Sequence, residues 1–134
     1  MVRRYKTLNV AIITSIVLMT TTIAAQIPCP VMLVSGTPGQ DTITLSFRNK
    51  GKLPIETLSL SCKPSLDHGT STCHTESGVF FPGMQYSINM AYPKADKRQV
   101  VISVKEAVMN SGARWDSHSS DKCRPLKVSP RAAR

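Results

Sequence analysis

Asp41-Thr42-Ile43-Thr44-Leu45-Ser46-Phe47-Arg48 alternates polar and apolar side chains from Thr42 onward without a break. A period of two sends Ile43, Leu45 and Phe47 to one side of a strand. Thr42, Thr44, Ser46 and Arg48 go to the other, so the stretch reads as a half-buried β-strand. Asn49-Lys50-Gly51-Lys52 follows, and Asn and Gly tolerate the positive φ of a tight reversal. The chain then returns over 53–62 with Leu58, Leu60 and Cys62 on one face. Ile55 has the opposite parity and Pro54 cannot donate to a ladder. Together they predict a bulge or an edge position near Glu56.

The same reading extends outward in both directions. Residues 84–92 place Met84, Tyr86, Ile88, Met90 and Tyr92 on one face, bounded by Pro82-Gly83 and Pro93. Residues 99–109 place Val100, Ile102, Val104 and Val108 together, and Glu106 interrupts that face, which predicts a bulge or an exit from the core. Asn110-Ser111-Gly112 reads as a hairpin turn into Ala113-Arg114-Trp115, with Trp115 as a core lid over one sheet edge. Shorter strands are expected at 31–35, 79–81 and 126–128. Gly36-Thr37-Pro38-Gly39 reads as a turn, with no helix after it to make a phosphate loop. No sustained spacing at i, i+3, i+4 and i+7 follows residue 25, and no internal repeat is present. About seven short strands separated by turns predict an all-β, two-sheet sandwich, with a small barrel as the alternative.

Residues 1–25 have a different character. Arg3, Arg4 and Lys6 precede a largely apolar run over 8–23, and Ala24 and Ala25 offer a cleavage point before Gln26. That order is the signature of an export signal. An uncleaved membrane anchor would want about 20 strongly apolar residues, whereas Asn9, Thr14, Ser15 and Thr20 to Thr22 dilute this run. Gln26-Ile27-Pro28 stands before Cys29, where a lipoprotein would carry small residues, so lipidation is not expected. The expected organisation is a signal peptide over 1–25, one β-domain over 26–128 and a flexible basic tail over 129–134. Removing the leader leaves 109 of the 134 residues and lowers the net charge from +9 to +6. A chain of that size buries roughly two-thirds of its unfolded surface on folding.

A limited family resemblance accompanies this reading. Ile43-Thr44-Leu45-Ser46-Phe47-Arg48-Asn49-Lys50-Gly51-Lys52-Leu53-Pro54-Ile55 resembles exported bacterial immunoglobulin-like domains, and residues 100–115 look like their late hairpin. The resemblance covers about half of the mature chain. It implies an immunoglobulin-like sandwich acting as a structural or binding module. Trp115 follows the third cysteine, which departs from the antibody order of Cys, Trp and Cys, so the antibody disulfide is not carried over.

An exported chain meets an oxidising environment, where Cys29, Cys62, Cys73 and Cys123 read as a disulfide framework. Of three possible pairings, Cys62–Cys73 with Cys29–Cys123 comes first, because it needs only one local contact and neighbouring termini. Cys62–Cys123 with Cys29–Cys73 comes next. A metal site from Cys62, His68, Cys73 and His74, with His118 before Cys123, competes with this reading. The spacing C-x5-H-x4-C-H matches no paired knuckle, and no metal or other cofactor is expected. His74 neighbours Cys73, yet adjacent strand residues face opposite sides, which argues against a Cys/His nucleophile. The eight carboxylates are scattered, and no pair is marked for acid–base work.

Lys94, Lys97 and Arg98 form one basic cluster, and Arg114, Lys122, Arg124 and Lys127 form another. Only Tyr92 and Trp115 lie near them, whereas single-stranded nucleic-acid grooves interleave aromatics, so no specific nucleic-acid binding is expected. The sequence therefore predicts an exported, non-enzymatic binding or structural module of the envelope or extracellular space. Its partner would be a protein or an anionic envelope polymer, met through loops 63–78 and 93–98 and in particular Lys94, Lys97 and Arg98. Membrane association is expected only through an uncleaved leader, and the molecule is expected to be a monomer. The alternative is a secreted inhibitor that presents loop 63–72 stapled by Cys62–Cys73.

Overall fold

A computed structural model describes residues 27–64, 72–91 and 99–129. The expected signal peptide, the tail from residue 130 onward, His68, Tyr92, Lys94, Lys97 and Arg98 lie outside the described residues. Eight strands occur among the described residues: β1 (Val31–Pro38), β2 (Thr42–Asn49), β3 (Ile55–Pro64), β4 (Thr72–Phe80), β5 (Gln85–Ala91), β6 (Val100–Met109), β7 (Arg114–Asp116) and β8 (Leu126–Val128). They form two antiparallel sheets, and the described residues contain no helix. One sheet has the order β1-β2-β5; the other runs β4-β3-β6-β7, with β8 also pairing β6.

The alternation that opens the sequence is realised in β2, where Ile43, Leu45 and Phe47 are fully buried. Ile88 and Met90 of β5 join them from the same sheet, and Leu58, Leu60, Ile102 and Val104 meet them from the other, in one continuous core. The Phe47 and Phe80 rings, on opposite sheets, stand edge to face with centroids 5.1 Å apart, a favourable quadrupolar arrangement. Trp115 is buried on β7 at the sheet edge. Its indole Nε1–H donates to the Asp121 carbonyl at 3.0 Å, so the buried ring leaves no polar atom unpaired.

Three local expectations are corrected. The residues after β2 do not make a hairpin: β2 and β3 belong to different sheets, and neither Asn49 nor Gly51 has positive φ. Among the described residues only Gly83 and Gly112 adopt it, at φ 77° and 85°: Gly112 in the turn of the β6–β7 hairpin, and Gly83 where the chain passes from β4 in one sheet to β5 in the other. Gly36-Thr37-Pro38 is not a turn either, because β1 continues through Pro38 as an edge strand, where proline's missing donor costs no ladder bond. Finally, loop 63–78 contracts from both sides, since β3 reaches Pro64 and β4 begins at Thr72.

Bulges decide which side chains reach the core. On β3, Ile55 pairs with Met109 and Thr57 with Val108, leaving Glu56 as the extra residue. The parity change expected there lets Ile55, Leu58 and Leu60 all face inward. On β6, Glu106 faces Ser59 and Val104 faces Leu60, so the extra residue is Lys105. Beyond it Ala107 and Met109 turn inward, and Val108, expected on the core face, is only half-buried.

Strand β1 closes one side of the molecule by packing on β8. At Gly36 a Cβ atom would stand 2.5 Å from Val128 Cγ2 and 3.4 Å from Leu126 Cδ2. Val128 is buried and stiff at χ1, so the methyl of Gly36→Ala forces the strands apart. We expect Gly36→Ala to lower stability by about 1–3 kcal/mol in urea unfolding. Adding Val128→Ala should make the double variant more stable than the sum of the two single effects, because it removes the clashing methyls. Strict additivity would show that the close approach carries no strain.

Candidate functional site

All four cysteines are consumed in cross-links, Cys29–Cys123 and Cys62–Cys73, which is the pairing placed first from the sequence. The first joins the chain just before β1 to the segment between β7 and β8, across 94 residues. The Asp121 carboxylate accepts the Cys29 backbone N–H at 2.7 Å, adding a charge-assisted bond to the same corner. The second clamps β3 to the edge strand β4, with Cα atoms 5.6 Å apart. Cys73 is the extra residue of a bulge, since Leu60 pairs with His74 and Ser61 with Thr72.

The histidine beside that bond is also held. His74 Nε2 lies 2.7 Å from Glu76 Oε2, and these two residues pair opposite Leu60 and Leu58. They therefore point inward at the open margin of β4, where polar inward-facing groups obstruct the addition of another strand. Among the described residues no three His, Cys, Asp or Glu side chains gather as a metal site. The second basic cluster is dispersed: Arg114 lies 3.6 Å from Glu106, Lys122 donates to the Ser117 carbonyl, and Arg124 and Lys127 are exposed.

Sequence reasoning missed Asn49, which read as a turn residue. It is fully buried at the end of β2 and is the only buried polar or charged residue among those described. Its Nδ2 donates to the Leu53 carbonyl at 2.9 Å and to the Phe80 carbonyl at 2.8 Å. Its Oδ1 accepts the Gly51 N–H at 2.9 Å. Its own N–H donates to the Met84 carbonyl, and its carbonyl accepts the Gly83 N–H. One primary amide thus satisfies two orphan acceptors and one donor where the chain leaves one sheet for the other.

This hub assembles a surface. It draws residues 50–54, which cross between the sheets, against the turn at 81–84 that links β4 to β5. Tyr86 fixes the turn further, its hydroxyl accepting the Phe81 N–H at 2.7 Å. Four of the six exposed large hydrophobics among the described residues lie here: Leu53, Val79, Phe81 and Met84. Arg48, Lys50 and Lys52 are exposed on the adjoining chain. Phe80-Phe81 held the missed signal: neighbouring strand residues face opposite ways, so one ring must leave the core.

No protein-family model matches the chain, and no curated protein matches it. Among solved structures it is similar to a Northeast Structural Genomics Consortium target determined by X-ray crystallography. The identity is 13% and the TM-score 0.40, with 76% of this chain and 83% of the other covered.

Proposed function

We propose that the chain is an exported, non-enzymatic immunoglobulin-like module that binds a partner, or serves as a structural part, at the cell envelope or beyond it. The observation that carries this reading is the use of all four cysteines as cross-links, one joining the two ends of the described domain and one clamping the edge strand β4 to β3. Such bonds persist in oxidising compartments, and they spend every thiol on stability. The described turns then sit on a rigid body, which is how binding surfaces are usually carried. Crosslinking the exported protein in its own cells, followed by capture and peptide mapping, tests the proposal. A crosslinked envelope or extracellular component is expected, with both disulfides intact. Recovery of the chain in the cytosol with free thiols overturns it.

The Cys62–Cys73 bond also favours the inhibitor reading, because it closes the segment that would be inserted into a partner. The double variant Cys62→Ser/Cys73→Ser separates the two. If the bond is scaffolding, stability falls by about 3 kcal/mol and partner capture persists below the unfolding transition. If the stapled segment is the binding element, capture weakens by tenfold or more while the fold is still intact.

A further inference from the structure

We propose that the end of the molecule organised by Asn49 docks on the surface of an anionic lipid bilayer, with Leu53, Phe81 and Met84 entering the interface and Arg48, Lys50 and Lys52 meeting the headgroups. The three apolar side chains are 42%, 56% and 55% exposed, on two segments that the Asn49 amide bonds to each other. Solvent-exposed apolar side chains grouped on a built and rigid turn mark an interaction surface. The three cations are exposed on the residues that lead into and through the same arch, with Glu56 the exposed acid beside them. An apolar centre with a basic margin matches the two phases of an anionic membrane surface, hydrocarbon below and negative charge above. A soluble anionic polymer would use the cations and leave the three apolar side chains in water.

The Lys50 N–H donates to the Pro30 carbonyl at 2.8 Å, which ties the arch to the chain just before β1. The sequence alone allowed membrane contact only through an uncleaved leader, whereas this surface supplies a route that belongs to the folded domain. The proposal rests on the export reading only in that export brings the domain to a bilayer surface. Vesicle binding tests the surface itself, and cell fractionation tests export separately.

The experiment uses the protein as recovered from exporting cells, its N-terminus established by mass. Co-sedimentation with phosphatidylglycerol/phosphatidylcholine vesicles is compared with phosphatidylcholine alone. Binding is expected on the anionic vesicles only. Phe81→Ser/Met84→Ser should weaken it at least tenfold, and Lys50→Glu/Lys52→Glu should weaken it and flatten its salt dependence. Both variants change exposed side chains, and unchanged thermal unfolding identifies them as folded. A second measurement does not depend on the leader: the emission of the Phe81→Trp variant should shift to the blue on anionic vesicles and be quenched by brominated lipid. Absence of that shift, vesicle binding indifferent to the apolar substitutions, or binding to dextran sulfate in place of vesicles would each overturn the proposal. Capture of a protein partner whose binding is lost in Phe81→Ser/Met84→Ser, without vesicle binding, would assign the surface to protein recognition instead.

Discussion

Asn49→Ala is expected to lower the unfolding free energy by about 3 kcal/mol or more, read as a drop in urea midpoint at unchanged slope. The estimate follows from what the amide leaves behind. Its loss strands the Leu53 and Phe80 carbonyls and the Gly51 N–H, and Asn49 itself is fully buried. A buried polar group without a partner costs about 1–3 kcal/mol, and entry of water into the gap recovers part of the combined cost. Asn49→Asp separates hydrogen bonding from shape, because it is nearly isosteric. The introduced carboxylate keeps an acceptor for the Gly51 N–H and turns its other oxygen toward two carbonyl oxygens, so at neutral pH the variant should be no more stable than Asn49→Ala. Protonation restores one donor, so the fold favours the neutral acid and binds more protons than the unfolded chain. Stability must then rise as pH falls through the titration of that group, relative to Asn49→Ala. A loss below 1 kcal/mol for Asn49→Ala would show that the crossing holds without the amide.

The same residue marks where the sequence was legible and where it was not. Period-two alternation depends on each strand's own side chains, and it located β2, β5 and most of β3 and β6 without reference to a partner. Even the Glu56 bulge could be read, because Ile55 and Leu58 cannot share a face on an unbroken strand. The sheet to which each strand belongs is a different quantity. Asn-Lys-Gly-Lys is compatible with a hairpin and with a crossing. The choice is made by partners about thirty residues away, notably the Phe80 carbonyl that Asn49 holds. The Lys105 bulge was misplaced for a related reason: Glu106 was the visible interruption, but the register against Ser59 and Leu60 decides which residue is extra.

The candidate surface was legible only in fragments. Met84 has the parity of Tyr86, Ile88 and Met90, and so it read as core. It lies just before β5, in the turn closed by its own N–H to the Phe81 carbonyl, where parity no longer governs burial. Lys50 and Lys52 read as turn residues, and their neighbours across the sheets could not be known. The disulfides were accessible because their logic is chemical and topological at once. An exported chain would meet an oxidising environment, one pair is local, and the other joins the two ends of a small β-domain.

The distant bond carries the largest single effect expected in this chain. Cys29→Ser/Cys123→Ser should cost about 4.7 kcal/mol, against about 3 kcal/mol for Cys62→Ser/Cys73→Ser, because the chain-entropy cost of closure grows with the logarithm of loop length. The two loops span 94 and 11 residues, so the same pair of substitutions is compared at very different loop lengths. Domains of this size have about 5–15 kcal/mol in total, so the distant bond decides whether a large unfolded fraction appears under mild heating. The corner has other ties: Asp121 holds the Cys29 N–H, Trp115 holds the Asp121 carbonyl, and β8 pairs β6 over three residues. These act in the folded state, whereas the bond acts on the unfolded one. The distinction is measurable, since an unfolded chain freed from a long loop exposes more surface and steepens the urea dependence. We therefore expect Cys29→Ser/Cys123→Ser to lower the midpoint and raise the slope together. The same midpoint loss at an unchanged slope would place the effect in the native corner. A loss under 1 kcal/mol would mean that Asp121 and Trp115 hold the corner alone, and that the bond adds little to the stability of the fold.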